Sequence, residues 1–479
     1  MMRLWEKYRR LQVTIKASLW FMICSLIQKG ISFFTVPIYT KILTTSEYGV
    51  YSVYLSWESI VYILATLNLN AGVFNNGMIK YEDKRDVFTS ATQGLSTILC
   101  IIVAAILLFF SDIVEKFSRL SPYIIMLMMI HVFFSASYNY WITKKKFEFQ
   151  YRGIVVATLV VALGTPVLAI MLMSTMDVKS DGIILGTVIA QSAVGLVLYI
   201  LNYIKGKKFF DREIWKYCLS FNLPLIPHYL SYVVLGQSDR IMIDNICGSS
   251  DAGIYSLAYQ LSIVINLVTN AIDGSFNPWT YQKLKSKDYQ SIRSVSTYLI
   301  LLFSIGVIGL TLIAPEILLI IAPIEYQAAK WVIPPVVAGC FFLFVAGTFM
   351  RVEFYHERNK IIMVASTVTA IVNIVLNALF IPIFGFIAAA YTTLFSYMLF
   401  ALFHYLVMLD TCKKQGYKSF PYDGKMIGLI TVITTALAVA FMILYPYPLI
   451  RFLIVALIII GVAINKDKVI ILFKEIKSR

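Results

Sequence analysis

The chain has 479 residues, 59% of them hydrophobic and 14% charged, with a mean hydropathy of +0.78. A soluble domain is roughly 45–50% apolar and about 25% charged, so this composition excludes a soluble enzyme, a disordered chain and a coiled coil. The net charge of +15 is dispersed through short loops between apolar runs, which is the pattern of a membrane protein and excludes a nucleic-acid binder.

Runs of about 20 apolar residues predict spanning helices. Fourteen emerge: 14–40, 47–74, 89–111, 121–143, 153–175, 182–204, 220–245, 252–277, 296–322, 331–350, 361–381, 386–409, 426–445 and 449–465. The first follows a basic prefix (Arg3, Lys7, Arg9, Arg10, Lys16). No small-x-small cleavage site succeeds it, so it reads as an uncleaved helix with an inside N-terminus. Thr89–Ser111, Gly153–Met176 and Gly182–Ile204 carry no charge. Ile361–His404 is also charge-free but too long for one span, and Pro382-Ile383-Phe384-Gly385 divides it. With this count, 33 of the 41 Lys and Arg belong to the inside, Lys16 at the start of the first span included, and six to the outside, Arg451 at the start of the last span included. Both termini are therefore expected to be cytoplasmic.

Charges within spans are expensive in hydrocarbon and point to a cavity or a partner. In chain order, Lys29 stands between Gln28 and Gly30 near the middle of the first span. It suits an anionic headgroup, or alternatively an ion pair with Glu58 of the second span. His228 follows Pro224 and Pro227 and either titrates during coupling or packs by a hydrogen bond. Asp239, Arg240 and Asp244 lie in the outer half of the seventh span. Arg240 and Asp244, four residues apart, can pair across one helix face and close an outer gate, or contact substrate. Asn266 and Asn270, like Asn373 and Asn377, share a helix face and serve interhelical hydrogen bonds or a sugar-lined cavity. Asp273 is placed one turn before the inner end of the eighth span, as a solvated terminus or a gating residue. Glu316 reads as interfacial, and Arg351 and Glu353 as solvated or snorkelling.

Ser46-Glu47-Tyr48-Gly49-Val50-Tyr51-Ser52-Val53 matches Ser250-Asp251-Ala252-Gly253-Ile254-Tyr255-Ser256-Leu257 at an offset of 204. Gly182–Thr187 matches Gly385–Ala390 more weakly at 203. An offset that spans six helices preserves orientation, so the expected architecture is all-α. It has two six-helix bundles related as parallel repeats (1–210 and 211–415), followed by a helix pair and a cytoplasmic tail (416–479).

These features resemble the multidrug/oligosaccharidyl-lipid/polysaccharide exporter (MOP) superfamily, and within it the Wzx-type polysaccharide flippases. The likeness rests on the Ser-Glu-Tyr-Gly-Val-Tyr-Ser start of the second span, Asp239-Arg240, Gly253-Ile254-Tyr255-Ser256, and Pro382-x-x-Gly385-x-x-Ala388-Ala389. The resemblance implies an inner-membrane flippase carrying a polyprenyl-diphosphate-linked glycan by alternating access, for surface polysaccharide synthesis. A proton or sodium ion would couple transport, and membrane lipids and polysaccharide polymerase machinery would be its other partners. Lys29, Arg240, Asn266 and Asn270 would then bind substrate, and Glu58, Asp239, Asp244, His228 and Asp273 would gate or couple. A cation-coupled multidrug antiporter of the same superfamily is the alternative. A membrane glycosyl-polymer enzyme is disfavoured, because no expected outer loop exceeds about ten residues. There is no GxxxxGK[ST] phosphate loop. The four histidines (His131, His228, His356, His404) and six cysteines show no metal-ligand spacing, so no cofactor is expected.

Overall fold

Helices begin where the sequence supplies caps. Thr44 opens its helix with a capping box, its hydroxyl accepting the Glu47 N–H while Glu47 reaches back to the Thr44 N–H. Ser121 followed by Pro122, and Asp288 before Tyr289, open others in the same manner. Asp211 accepts the backbone N–H of Glu213 and Ile214 and the Lys208 ammonium at 2.6 Å. The Lys208 hydrogen bond, with those of the helix N–H groups, holds the Asp211 carboxyl below its ordinary range.

The computed structural model describes residues 13–467, and all regular structure among them is helical. The chain divides into two units between Gln237 and Ser238. The first holds α1 (Val13–Ile42), α2 (Thr45–Thr66), α3 (Val73–Lys80), α4 (Arg85–Phe109), α5 (Ser111–Ser118), α6 (Pro122–Phe147), α7 (Tyr151–Thr175), α8 (Lys179–Gly206) and α9 (Arg212–Asn222). The division falls within α10 (Ile226–Cys247). The second unit continues with α11 (Ser249–Leu261), α12 (Ile263–Lys285), α13 (Tyr289–Ile321), α14 (Ile333–Tyr355), α15 (Asn359–Phe384), α16 (Ile387–Lys414), α17 (Gly424–Ala440) and α18 (Pro448–Ile464). Among the described residues, eleven helical segments are long and apolar enough to cross a membrane, so this is a multi-pass membrane protein. The other three expected spans fall on the more polar α2, on α11 with α12, and on the 17-residue α18. The basic prefix Arg3–Arg10 and most of the basic tail lie outside the described residues.

Two expected spans differ in form. The run 47–74 breaks at Leu67 and Asn68, both left-handed (φ 50° and 49°). Asn222 of α9 stabilises that turn. Its amide donates to the Leu67 and Asn68 carbonyls at 2.8 and 3.1 Å, and its oxygen accepts the Val73 N–H at 3.1 Å. In the run 252–277, the helix is interrupted at Ser262 and then continues to Lys285. Asp273 is therefore not at a helix terminus.

Packing in the first unit uses small residues. Gly182 and Gly186, one turn apart on α8, press on the α7 backbone at Leu172–Met173 and Ala169, where any Cβ would collide. In the second unit α14 is buried almost all round and packs mainly on α16. Arg451 anchors α18. It is 2% exposed, donates to both Glu316 carboxylate oxygens at 2.6 Å and to the Leu312 carbonyl at 2.7 Å. Glu316 is thus the half-buried ion-pair partner of a buried arginine. The segments matched at an offset of 204 open α2 at Thr45 and α11 at Ser249. Tyr48, Gly49, Ser52 and Val53 are buried, as are Ala252, Gly253, Ser256 and Leu257 at equivalent positions.

Candidate functional site

Polar side chains on apolar helices have to face one another or an aqueous space. In the first unit they do both. A cavity of about 500 Å³ opens among α1, α2, α6, α7, α8 and α10. Its polar lining includes Gln28, Glu58, Tyr62, His131, Asn139 and Gln191. This volume is within the roughly 300–1,000 Å³ of small-molecule sites.

The cavity wall is ordered by hydrogen bonds between helices. The His131 Nε2 faces the Gln191 side-chain oxygen at 3.0 Å, and Nδ1 faces the Tyr54 hydroxyl at 3.1 Å. Nε2 donates to the Gln191 oxygen, and Nδ1 shares a hydrogen bond with the Tyr54 hydroxyl, which can act as either donor or acceptor. Asn139 donates to the Tyr62 hydroxyl at 3.0 Å, which donates to Asn70 at 2.9 Å. Glu58 sits 3.8 Å from His131 Nδ1, beyond hydrogen-bond range, with 17% of its side chain exposed. The expected Lys29–Glu58 pair is absent: Glu58 lies beside His131 instead. Lys29 is half-buried and is not part of the lining, to which its neighbour Gln28 contributes.

The second unit holds two polar clusters. In the first, Asp239 is 1% exposed. Its carboxylate accepts from Tyr255 (2.5 Å), Thr393 (2.7 Å) and the Asn377 amide (2.7 Å). Asn373 donates to Thr393 at 3.0 Å, and Thr392 donates to Asn377. Asn373 and Asn377 thus do serve interhelical bonds, linking α15 to α16 and α10. A carboxylate ringed by hydroxyl and amide groups has the chemistry to take up a proton or a hard monovalent cation, whose preference is for oxygen ligands. Next to it, the Arg240 guanidinium lies over the Tyr259 ring at 4.5 Å, and Asp244 accepts from the Ser249 hydroxyl at 2.6 Å.

In the second cluster, Asp273 pairs with Arg351, which also donates to Asn277 at 2.5 Å. Glu353 and His404, each fully buried, meet at 2.9 Å. Arg351 and Glu353 are therefore neither solvated nor snorkelling; both are buried because partners on α12 and α16 meet them. His228 is half-buried beside Tyr229, and Asn270 is exposed. The Asn266 side chain lies outside those described.

Of the expected site residues, the fold brings Asp239 together with Asn373 and Asn377, and sets Glu58 on the cavity of the other unit. Sequence reasoning missed His131, Gln191, Tyr62 and Asn139 as cavity residues, and Tyr255 and Thr393 as partners of Asp239. A lone histidine inside an apolar span was the available signal for His131.

Comparison with known proteins agrees with this architecture. An Lsg locus protein of Haemophilus influenzae is 28% identical over 168 residues, covering 33% of this chain and 40% of that protein. An uncharacterised membrane protein of the same organism is 21% identical over 283 residues, covering 57% and 66%. The chain thus matches less than two thirds of the length of either relative. Among solved structures, the lipid II flippase MurJ in an inward closed conformation aligns with a TM-score of 0.73 at 13% identity, covering 94% of this chain and 99% of that one. An inward-facing multidrug resistance MATE family transporter of the MOP superfamily aligns at 0.66 and 12% identity, covering 84% and 100%. These likenesses show that the chain shares the fold of these two transporters. Residues 14–284, more than half of the chain, match the polysaccharide biosynthesis protein family, and the chain belongs to that family.

Proposed function

We propose that the protein is a flippase that moves a polyprenyl-diphosphate-linked oligosaccharide across the cytoplasmic membrane by alternating access, for assembly of a surface polysaccharide. The observation that carries this reading is the polar cavity of about 500 Å³ walled by membrane helices, in a chain of a polysaccharide biosynthesis family. A glycan needs such a hydroxyl- and amide-rich lining, whereas a polyprenyl tail needs only lipid. The chain carries no nucleotide-binding motif and is not an enzyme in this reading. Energy would come from a proton or sodium gradient, with Asp239 and its oxygen-rich surroundings as the coupling site. Fourteen spans, both termini in the cytoplasm and a duplicated six-helix bundle belong to the same proposal. The shared burial of the segments at Thr45 and Ser249 supports the duplication. Reporter fusions at Lys413 and Lys477 would then read inside, and one at Ser249 outside.

The direct test is translocation of a lipid-linked oligosaccharide in vesicles containing the purified chain, read by a membrane-impermeant lectin. Protein-dependent movement that collapses with the ion gradient is the expected result, and no movement refutes the reading. One observation favours a second reading, the multidrug antiporter: among the described residues that line the cavity, Glu58 is the carboxylate, and no Lys or Arg is present. Efflux of an organic cation from the same vesicles, without glycan movement, would select that alternative.

A further inference from the structure

The charge inventory of the cavity carries a conclusion about which sugars it accepts. Among the described residues, its lining includes one carboxylate, Glu58, and no Lys or Arg. The remaining polar groups are amides, hydroxyls and the His131 ring. Both nitrogens of that ring are already engaged, Nε2 by Gln191 at 3.0 Å and Nδ1 by Tyr54 at 3.1 Å. The ring therefore spends its hydrogen bonds on Gln191 and Tyr54 and has none left for Glu58. At 3.8 Å from Nδ1 the carboxylate accepts no hydrogen bond from the ring.

Glu58 differs in this from other carboxylates of the helices. Asp239 takes three donors, Glu353 meets His404 at 2.9 Å, and Glu316 meets Arg451 at 2.6 Å. Among the described residues, no protein donor meets the Glu58 carboxylate, although it is 17% exposed and lines the cavity. A carboxylate left open in a recess walled by membrane helices is completed by a donor that arrives with the ligand. Sugar hydroxyls and the ammonium of an amino sugar are such donors. A second carboxylate is not, and it would stand against a like charge.

We infer that the first-unit cavity selects neutral or amino-substituted sugar units and rejects acidic ones, with Glu58 as the selecting residue. Asn139 and Gln191 supply fixed amide groups beside it, and the Tyr62 ring supplies an apolar face for the sugar's C–H groups. The diphosphate is anionic, so it has to sit outside this cavity. The inference rests on the flippase reading and narrows its cargo.

The test uses the full chain in vesicles with three synthetic polyprenyl-diphosphate trisaccharides of equal length. One is neutral, one carries an amino sugar, and one carries a uronic acid. We expect the neutral and amino forms to cross, and the uronic form to cross about tenfold more slowly or less. Glu58→Gln should raise the uronic-to-neutral ratio several-fold, and Glu58→Asp should keep it near the native value. Equal native rates for the uronic and neutral forms would overturn the inference and leave the flippase reading intact. An unchanged ratio in a folded Glu58→Gln protein would remove Glu58 as the selector. Immobility of all three would refute the flippase reading, and the inference with it.

Discussion

Replacing Asp239 by Asn separates the stability of its cluster from its use. In the native protein three donors converge on the carboxylate at 2.5–2.7 Å. Hydrogen bonds to a charged group contribute about 1.5–3 kcal/mol each, or roughly 4.5–9 kcal/mol in all. Against this stands about 2.5–3.5 kcal/mol for a carboxylate at the centre of a spanning helix. The Asn side chain keeps one acceptor oxygen. It retains about two neutral bonds, worth roughly 1–3 kcal/mol, and carries no charge penalty. The variant should therefore be only about 2 kcal/mol less stable and should fold. Asp239→Ala orphans the Tyr255 hydroxyl, the Thr393 hydroxyl and the Asn377 amide together, so it should melt lowest of the three in detergent. If Asp239 couples the gradient to transport, Asp239→Asn should also lose gradient-driven translocation by on the order of 10–100-fold, the span of a typical coupling free energy. Vesicles loaded with lipid-linked glycan under an imposed proton or sodium gradient measure this. A folded Asp239→Asn protein that still transports at the native rate, with native dependence on the gradient, would refute the coupling role.

Three further outcomes follow from the geometry. Lys29→Ala should abolish glycan translocation at normal protein level while Lys29→Arg keeps part of it, if this half-buried ammonium holds the diphosphate; a loss of protein level instead would make Lys29 structural. Arg451→Ala leaves the half-buried Glu316 without its ion pair and the Leu312 carbonyl without its donor, and should destabilise by about 1–3 kcal/mol, whereas Arg451→Leu with Glu316→Leu should recover part of that in a thermal melt. Asn222→Ala strips two carbonyls and one N–H of the 67–73 turn of their partner, and should cost about 2–4 kcal/mol, read as increased proteolysis between α2 and α3.

The spans were legible because lipid demands about twenty apolar residues in a row, a local and redundant signal. The run through Leu67 and Asn68 misled for the opposite reason. Neither residue is glycine, and what holds them left-handed is an asparagine on another helix. Charged residues were legible as costly but not as paired. An ion pair of Lys29 with Glu58 was one of two readings of Lys29, yet the fold sets Glu58 beside His131. Arg351 and Glu353, near the end of a span, looked solvated, and only tertiary structure brings Asp273 and His404 to them. Asp239 stood out as a carboxylate in hydrocarbon, and Asn373 and Asn377 as a one-face pair. That they form one cluster depends on how α10, α15 and α16 meet, which no single segment encodes.

The Asn222 contact also sets a timetable for biogenesis. Its partners precede it by 149 to 155 residues. At about 5–20 residues per second, the ribosome needs roughly 8–30 s to make that stretch. Throughout this interval the Leu67 and Asn68 carbonyls and the Val73 N–H have to find water or a provisional partner at the insertion machinery, because hydrocarbon offers none. The hairpin of α2 and α3 therefore cannot reach its final form as it emerges, and completing it waits for α9. A nascent chain arrested before residue 211 should accordingly leave this turn open to protease or to a thiol-reactive label placed at Asn68, and one arrested well beyond residue 222 should have it closed.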